Sequence, residues 1–111
     1  MLKLRRFLRP EGVQSTPRSE GFLDAQALQD RIDIWDYIGA DNPSAAARMD
    51  VVFSNSALRL AEHPQMGRSG KTAGTREWVV HASYRMVYEI MNESVWILAL
   101  VHTSRLWPLV R

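Results

Sequence analysis

Hydrophobic positions change period along the chain, and the change separates its elements. Between residues 25 and 38, Leu28, Ile32, Trp35 and Ile38 recur at steps of four and three, the stripe of an amphipathic helix. Asp24 offers an N-cap and Gly39 a C-terminal stop. Over residues 43–61 a second stripe runs through Ala45, Met49, Val52, Phe53, Ser56 and Leu60. In the link, Asn42 can cap, and Pro43 suits a first helical position because its missing N–H is no loss there. So short a link predicts an antiparallel helical hairpin, with Ala45, Ala46 and Ala47 allowing close approach near the turn.

After Gly74 the pattern changes. Residues 74–81, 84–90 and 95–101 are three runs rich in β-branched and aromatic side chains, which read as strands. Their connectors, Ala82-Ser83 and Asn92-Glu93-Ser94, are short enough to join only antiparallel neighbours. The third run is apolar almost throughout, which predicts cover on both faces. A three-stranded meander of this size needs helices to bury its apolar face. The expected fold class is α+β: a helical hairpin packed on a small antiparallel β-sheet.

The remaining stretches are less regular. Residues 1–7 make a short strand candidate through Leu2, Leu4 and Phe7, with the alternation broken at Arg6. Residues 10–21 have loop composition, and residues 19–24 make a poor strand. Residues 63–74 form a loop, in which Pro64 stops the helix and Gly67, Gly70 and Gly74 permit turns. Gly and Lys71 in this loop raise the question of a phosphate loop. A P-loop follows a strand and opens a helix, and here the order is reversed, so that reading is rejected. In the tail, Pro108 argues against a long terminal helix.

Composition narrows the classes. At 111 residues, 46% hydrophobic and 23% charged, the chain suits one globular domain, with residues 1–21 as an atypical N-terminal segment before a core over 22–108. No run is long enough to cross a bilayer and no secretory signal is visible, so a cytoplasmic location is expected. The absence of cysteine excludes disulfides and thiolate chemistry. His63, His81 and His102 lack the close spacing of a ligand cluster, so neither a metal nor a cofactor is expected. Net charge is +2, but its distribution is uneven. Asp24, Asp30, Asp33, Asp36 and Asp41 surround Arg31, whereas Arg59, Arg68, Lys71, Arg76 and Arg85 outnumber Glu62 and Glu77. The basic region suits nucleic acid or an acidic protein, or simply solubility. Asp30, Asp33 and Asp36 fall off the helical stripe and are expected to face water rather than hold a metal.

One ordered set of motifs carries a resemblance. It runs from Ile34-Trp35-Asp36-Tyr37-Ile38 into Asp41-Asn42-Pro43-Ser44-Ala45-Ala46, then Leu60-Ala61-Glu62-His63-Pro64 with Gly67-Arg68. Gly74-Thr75-Arg76-Glu77, Tyr84-Arg85-Met86-Val87-Tyr88, Val95-Trp96-Ile97-Leu98 and His102 through Arg105 to Trp107-Pro108 follow. Over about residues 21–108 this set resembles the RelE/ParE family of bacterial toxins from type II toxin–antitoxin operons. The resemblance implies a β-α-α-β-β-β order with a strand leading straight into the first helix. Here residues 19–24 hold that place poorly, and residues 1–7 would need an inserted loop, so the position of the first strand stays open.

The family holds two activities. RelE-like members cleave mRNA in the ribosomal A site, which needs a base for the 2′-hydroxyl, a cation for the phosphorane and an acid for the leaving oxygen. If this chain were such a ribonuclease, the candidates would be His81, Arg85, His102, Arg76 and Glu77. Trp78 and Val80 stand where ribonucleases place charge, and Glu77 with Arg85 also reads as a cross-strand ion pair. ParE-like members instead bind and poison DNA gyrase. The Gly-Thr-Arg-Glu run, the Asp-Asn-Pro turn and the Arg-x-Trp-Pro ending resemble that branch, which makes gyrase inhibition the first expectation. A ribosome-dependent endoribonuclease and a degenerate, non-toxic member are the alternatives. For gyrase the resemblance points to Arg105, Leu106, Trp107 and Pro108 with the hairpin. It also implies a cognate, ParD-like antitoxin in a hetero-oligomer, lying across the groove between hairpin and sheet. Trp35, Trp78 and Trp96 are its candidate anchors.

Overall fold

A computed structural model describes residues 3–6 and 21–104. The elements are β1 (Lys3–Arg6), β2 (Gly21–Asp24), α1 (Ala25–Gly39), α2 (Pro43–Glu62), a single 3-10 turn (Pro64–Met66), β3 (Arg68–Ser69), β4 (Arg76–His81), β5 (Tyr84–Met91) and β6 (Ser94–His102). The strands form one sheet in the order β1-β2-β6-β5-β4-β3.

The expected meander is present. β4, β5 and β6 pair antiparallel. Met91 faces Ser94 across the second turn, where Asn92 and Glu93 have φ of 50° and 65°. Two consecutive positive φ values make the turn whose twist matches that of the flanking strands, and Asn tolerates it better than most residues.

The sheet differs from expectation in two ways. It is mixed rather than purely antiparallel, because β2 pairs parallel with β6, Phe22 opposite Trp96 and Leu23 opposite Ile97. Both N-terminal candidates are strands, and β1 lies antiparallel outside β2. A four-residue strand carries little intrinsic signal; apolar pairing along β6 decides it. The second difference is β3, placed in the expected loop, where Arg68 and Ser69 pair with Glu77 and Arg76.

The helices form the predicted hairpin. The Asn42 side chain accepts a hydrogen bond from the Ala45 N–H at 3.0 Å, capping α2. Asp24 precedes α1 but makes no side-chain cap bond. Helix α1 is also rotated from its predicted stripe. Ala27 is fully buried, and Ile34 and Ile38 pack on the core, whereas Ile32 and Trp35 are 47% and 44% exposed. The same rotation carries Asp30 inward instead of into water.

Both helices cover one face of the sheet. Leu23, Ala27, Phe53, Ala57, Leu60 and Ala61 meet Tyr84, Met86, Tyr88, Val95, Ile97 and Leu100 there. Burying each large side chain of this set contributes roughly 1.5–3 kcal/mol. The opposite face holds a second cluster of Val87, Leu98, Ala99 and Val101 with Trp96. Phe22 stacks on Trp96 with ring centroids 4.6 Å apart. An irregularity in β5–β6 pairing between Val87 and Tyr88 skips Leu98, so Leu98 and its neighbour Ala99 both join this cluster. β6 is therefore covered on both sides, as its composition predicts. No helix among the described residues is long and apolar enough to cross a membrane.

Candidate functional site

Strand alternation sorts the polar residues of β4 and β5 onto opposite faces. On the helix side, Arg76 and Tyr88 face each other across the two strands and hold the loop after α2. The Tyr88 hydroxyl donates to the Pro64 carbonyl at 2.6 Å and accepts from the Gly67 N–H at 2.9 Å. The Arg76 guanidinium donates to the Gly67 carbonyl at 3.1 and 2.7 Å and to the Gln65 carbonyl at 3.1 Å. Gly67 is required by this approach. A Cβ there would stand 2.5 Å from the Tyr88 hydroxyl and 2.8 Å from the Glu77 carbonyl oxygen.

On the far side, Glu77 and Arg85 form a buried ion pair, with Nε 3.0 Å from Oε1. Glu77 lies opposite Val87 and Arg85 opposite Val79, so the pair is diagonal. The Arg85 Nε lies close to the carboxylate but makes no aligned hydrogen bond, which makes the contact chiefly Coulombic. One guanidinium arm points at the carbonyls of His102 and Thr103 at long range, 3.4 and 3.5 Å. Arg68, mostly in solvent, reaches within 3.9 Å of the same Glu77 oxygen.

The two histidines lie at the end of the sheet and both are exposed. His81 accepts the Ser83 N–H at 3.1 Å through Nδ1. The His102 Nδ1 meets the Ser104 hydroxyl at 2.7 Å. Tyr84 presents an edge to His102 and to Phe53, with centroids 5.6 and 5.7 Å apart. Burial pushes the Tyr84 phenol above its usual pKa, with a smaller contribution from Tyr37.

The five polar candidates therefore end in three places: Arg76 in a loop clamp, Glu77 with Arg85 in a buried pair, and the two histidines at the sheet end. The tryptophans are dispersed too. Trp35 is on the outer side of α1, Trp78 packs partly buried against the main core, and Trp96 stacks on the far face. The candidates Arg105, Leu106, Trp107 and Pro108 lie outside the described residues. Among the described residues no group of three or more His, Cys, Asp or Glu is placed to hold a metal.

Sequence reasoning missed two polar anchors. Tyr88 reads as one more apolar strand residue, and only its contacts reveal the clamp. Asp30 reads as solvated, yet its carboxylate accepts the Leu100 N–H at 3.0 Å. Desolvation raises its pKa above the usual carboxylate value, opposed by hydrogen bonds from Gln26 and Leu100 and reinforced by Asp33.

A helical hairpin on a mixed sheet, with its charged residues engaged in separate structural contacts, defines a small two-layer α+β class. Within it, residues 22–107 match the model of the ParE toxin of the type II toxin–antitoxin system parDE. The chain is 41% identical over 81 residues to Toxin RelE2 of Caulobacter vibrioides, covering 73% of this chain and 91% of that one. It is 37% identical over 86 residues to Putative toxin Y4kP of Sinorhizobium fredii, covering 77% and 88%. A solved structure described as the chromosomal ParDE TA system from P. aeruginosa superposes with a TM-score of 0.65 at 15% identity, covering 72% of this chain and 90% of that one, which shows the shared fold. The chain belongs to the ParE toxin family of type II toxin–antitoxin systems.

Proposed function

We propose that this toxin acts in the cytoplasm by binding DNA gyrase and stalling it, and that a cognate ParD-like antitoxin neutralises it. The observation that carries the reading is the separation of Arg76, Glu77, Arg85, His81 and His102. Cleavage at a 2′-hydroxyl needs base, cation and acid within hydrogen-bond reach of one phosphate. Here Arg76 is spent on backbone carbonyls. Glu77 and Arg85 offset each other on the face of the sheet away from the helices. A surface that grips a macromolecule asks for none of these groups to be free, and the tail residues Arg105, Leu106, Trp107 and Pro108 remain its proposed gyrase contacts.

A supercoiling assay tests this directly. Purified toxin with gyrase and relaxed plasmid should block supercoiling or accumulate cleaved plasmid, and added antitoxin should reverse the effect. Unimpaired gyrase at large toxin excess, together with new mRNA ends at the ribosomal A site, would overturn the proposal in favour of ribonuclease action.

A further inference from the structure

The outer side of the hairpin, away from the sheet, carries a narrow apolar strip between charged positions. Arg31 of α1 holds Asp50 and Ser54 of α2 at 2.6 and 2.7 Å, which fixes how the two helices face each other. At about 100° per residue, the positions that flank this contact on the outer side are Leu28, Ile32 and Trp35 on α1 and Val51 and Leu58 on α2. Ile32, Trp35 and Val51 are 47%, 44% and 55% exposed, whereas Leu28 and Leu58 are half-buried beneath them and pack on the main core. An apolar strip of this kind on the solvent side of a helix pair marks an interaction surface.

Its rims carry opposite charge. Beyond the strip, α1 presents exposed Asp33 and Asp36, and α2 presents exposed Arg48 at the same end, with Arg59 and Glu62 toward its other end. Measured from the Arg31–Asp50 contact at about 1.5 Å per residue, Asp33, Asp36 and Arg48 lie within about one helical turn of the same height. A two-fold axis running along the helices would lay α1 of one copy over α2 of the other, antiparallel. That operation brings each acidic rim onto the basic rim of the second copy. It also buries both apolar strips in a four-helix arrangement.

We propose that this face docks a second copy of the chain, Trp35 and Val51 at the centre and Asp33, Asp36 and Arg48 setting the register. The self-complementary rims favour a second copy over a foreign helix, which would need its own matching pair of rims. Docking of a second copy through this face does not depend on gyrase being the target.

Sedimentation velocity of the purified 111-residue chain over a wide concentration range tests it. The expected result is a reversible monomer–dimer equilibrium. Val51→Asp should raise the dimer dissociation constant about tenfold or more while leaving the circular dichroism melt in place. Arg48→Glu should weaken the dimer, and adding Asp36→Arg in the same chain should restore it. A chain that stays monomeric at every concentration overturns the proposal, as does a dimer indifferent to Val51→Asp. A monomer whose Val51→Asp variant loses antitoxin affinity also overturns it, and would assign the face to the antitoxin.

Discussion

The carboxylate of Asp30 accepts the backbone N–H of Leu100 at 3.0 Å, across seventy positions of sequence. The contact exists because β2 ends beside Ile97 and turns at once into α1. β6 continues to His102 with a helix, not a strand, along that part of its edge. Asp30 supplies the acceptor that a neighbouring strand would have provided.

This arrangement makes stability depend on pH in a stated direction. Asp30 has its pKa raised in the fold, chiefly by desolvation, from an ordinary value of 3.8. Its protonated form is thus the favoured one when folded, and that contribution is present below the unfolded pKa and lost as pH rises through the folded pKa. Asp30→Asn keeps an acceptor for Leu100 without the charge. In urea denaturation the variant should equal or exceed the parent at about pH 7, with the difference closing below about pH 4. Asp30→Ala should instead lose about 1–3 kcal/mol by orphaning the N–H.

The loop clamp predicts a coupled pair. Tyr88→Phe removes a donor to Pro64 and an acceptor for Gly67, and should cost about 1–3 kcal/mol. Gly67→Ala should be costly as well, because its Cβ meets both the Tyr88 hydroxyl and the Glu77 carbonyl. Removing the hydroxyl relieves only the first contact. A double-mutant cycle by thermal denaturation should therefore show losses smaller than additive but not abolished.

The buried pair should behave as structure, not as chemistry. Glu77→Leu alone leaves the Arg85 guanidinium uncompensated, and Arg85→Leu does the same to the carboxylate. Each should cost about 3–5 kcal/mol, while the double replacement should cost far less. The double variant, if folded by circular dichroism, should still arrest growth on expression. Complete loss of toxicity in that folded variant would place the pair in the active surface.

Neither histidine at the sheet end is expected to matter for toxicity. His81 and His102 bond only to neighbouring turn residues through Nδ1. His81→Ala and His102→Ala should arrest growth as the parent does, with stability changed by no more than about 0.5 kcal/mol. A strong loss in either, with folding intact, would argue for cleavage at the sheet end.

Much of this architecture is written locally. Leu28 and Ile38 announce α1, Asn42-Pro43 announces the start of α2, and Asn92-Glu93 announces the β5–β6 turn, because helix period, capping and turn chemistry depend on residues a few positions apart. The ordered motifs carry the family in the same way. The candidate site was less legible. Residue types named Arg76, Glu77 and Arg85 as polar strand members, but not which were already engaged.

Sequence by itself determined the helical hairpin, the three-stranded meander and the ParE-type kinship. Tertiary structure decided that Phe22 and Leu23 pair parallel to β6, that Asp30 turns inward while Ile32 and Trp35 turn outward, and that Arg76 and Glu77 part to opposite faces with separate partners. The division has one cause. Period and capping are properties of neighbouring residues, whereas register and helix rotation are settled by contacts such as Asp30 with Leu100, whose energies no local stretch contains.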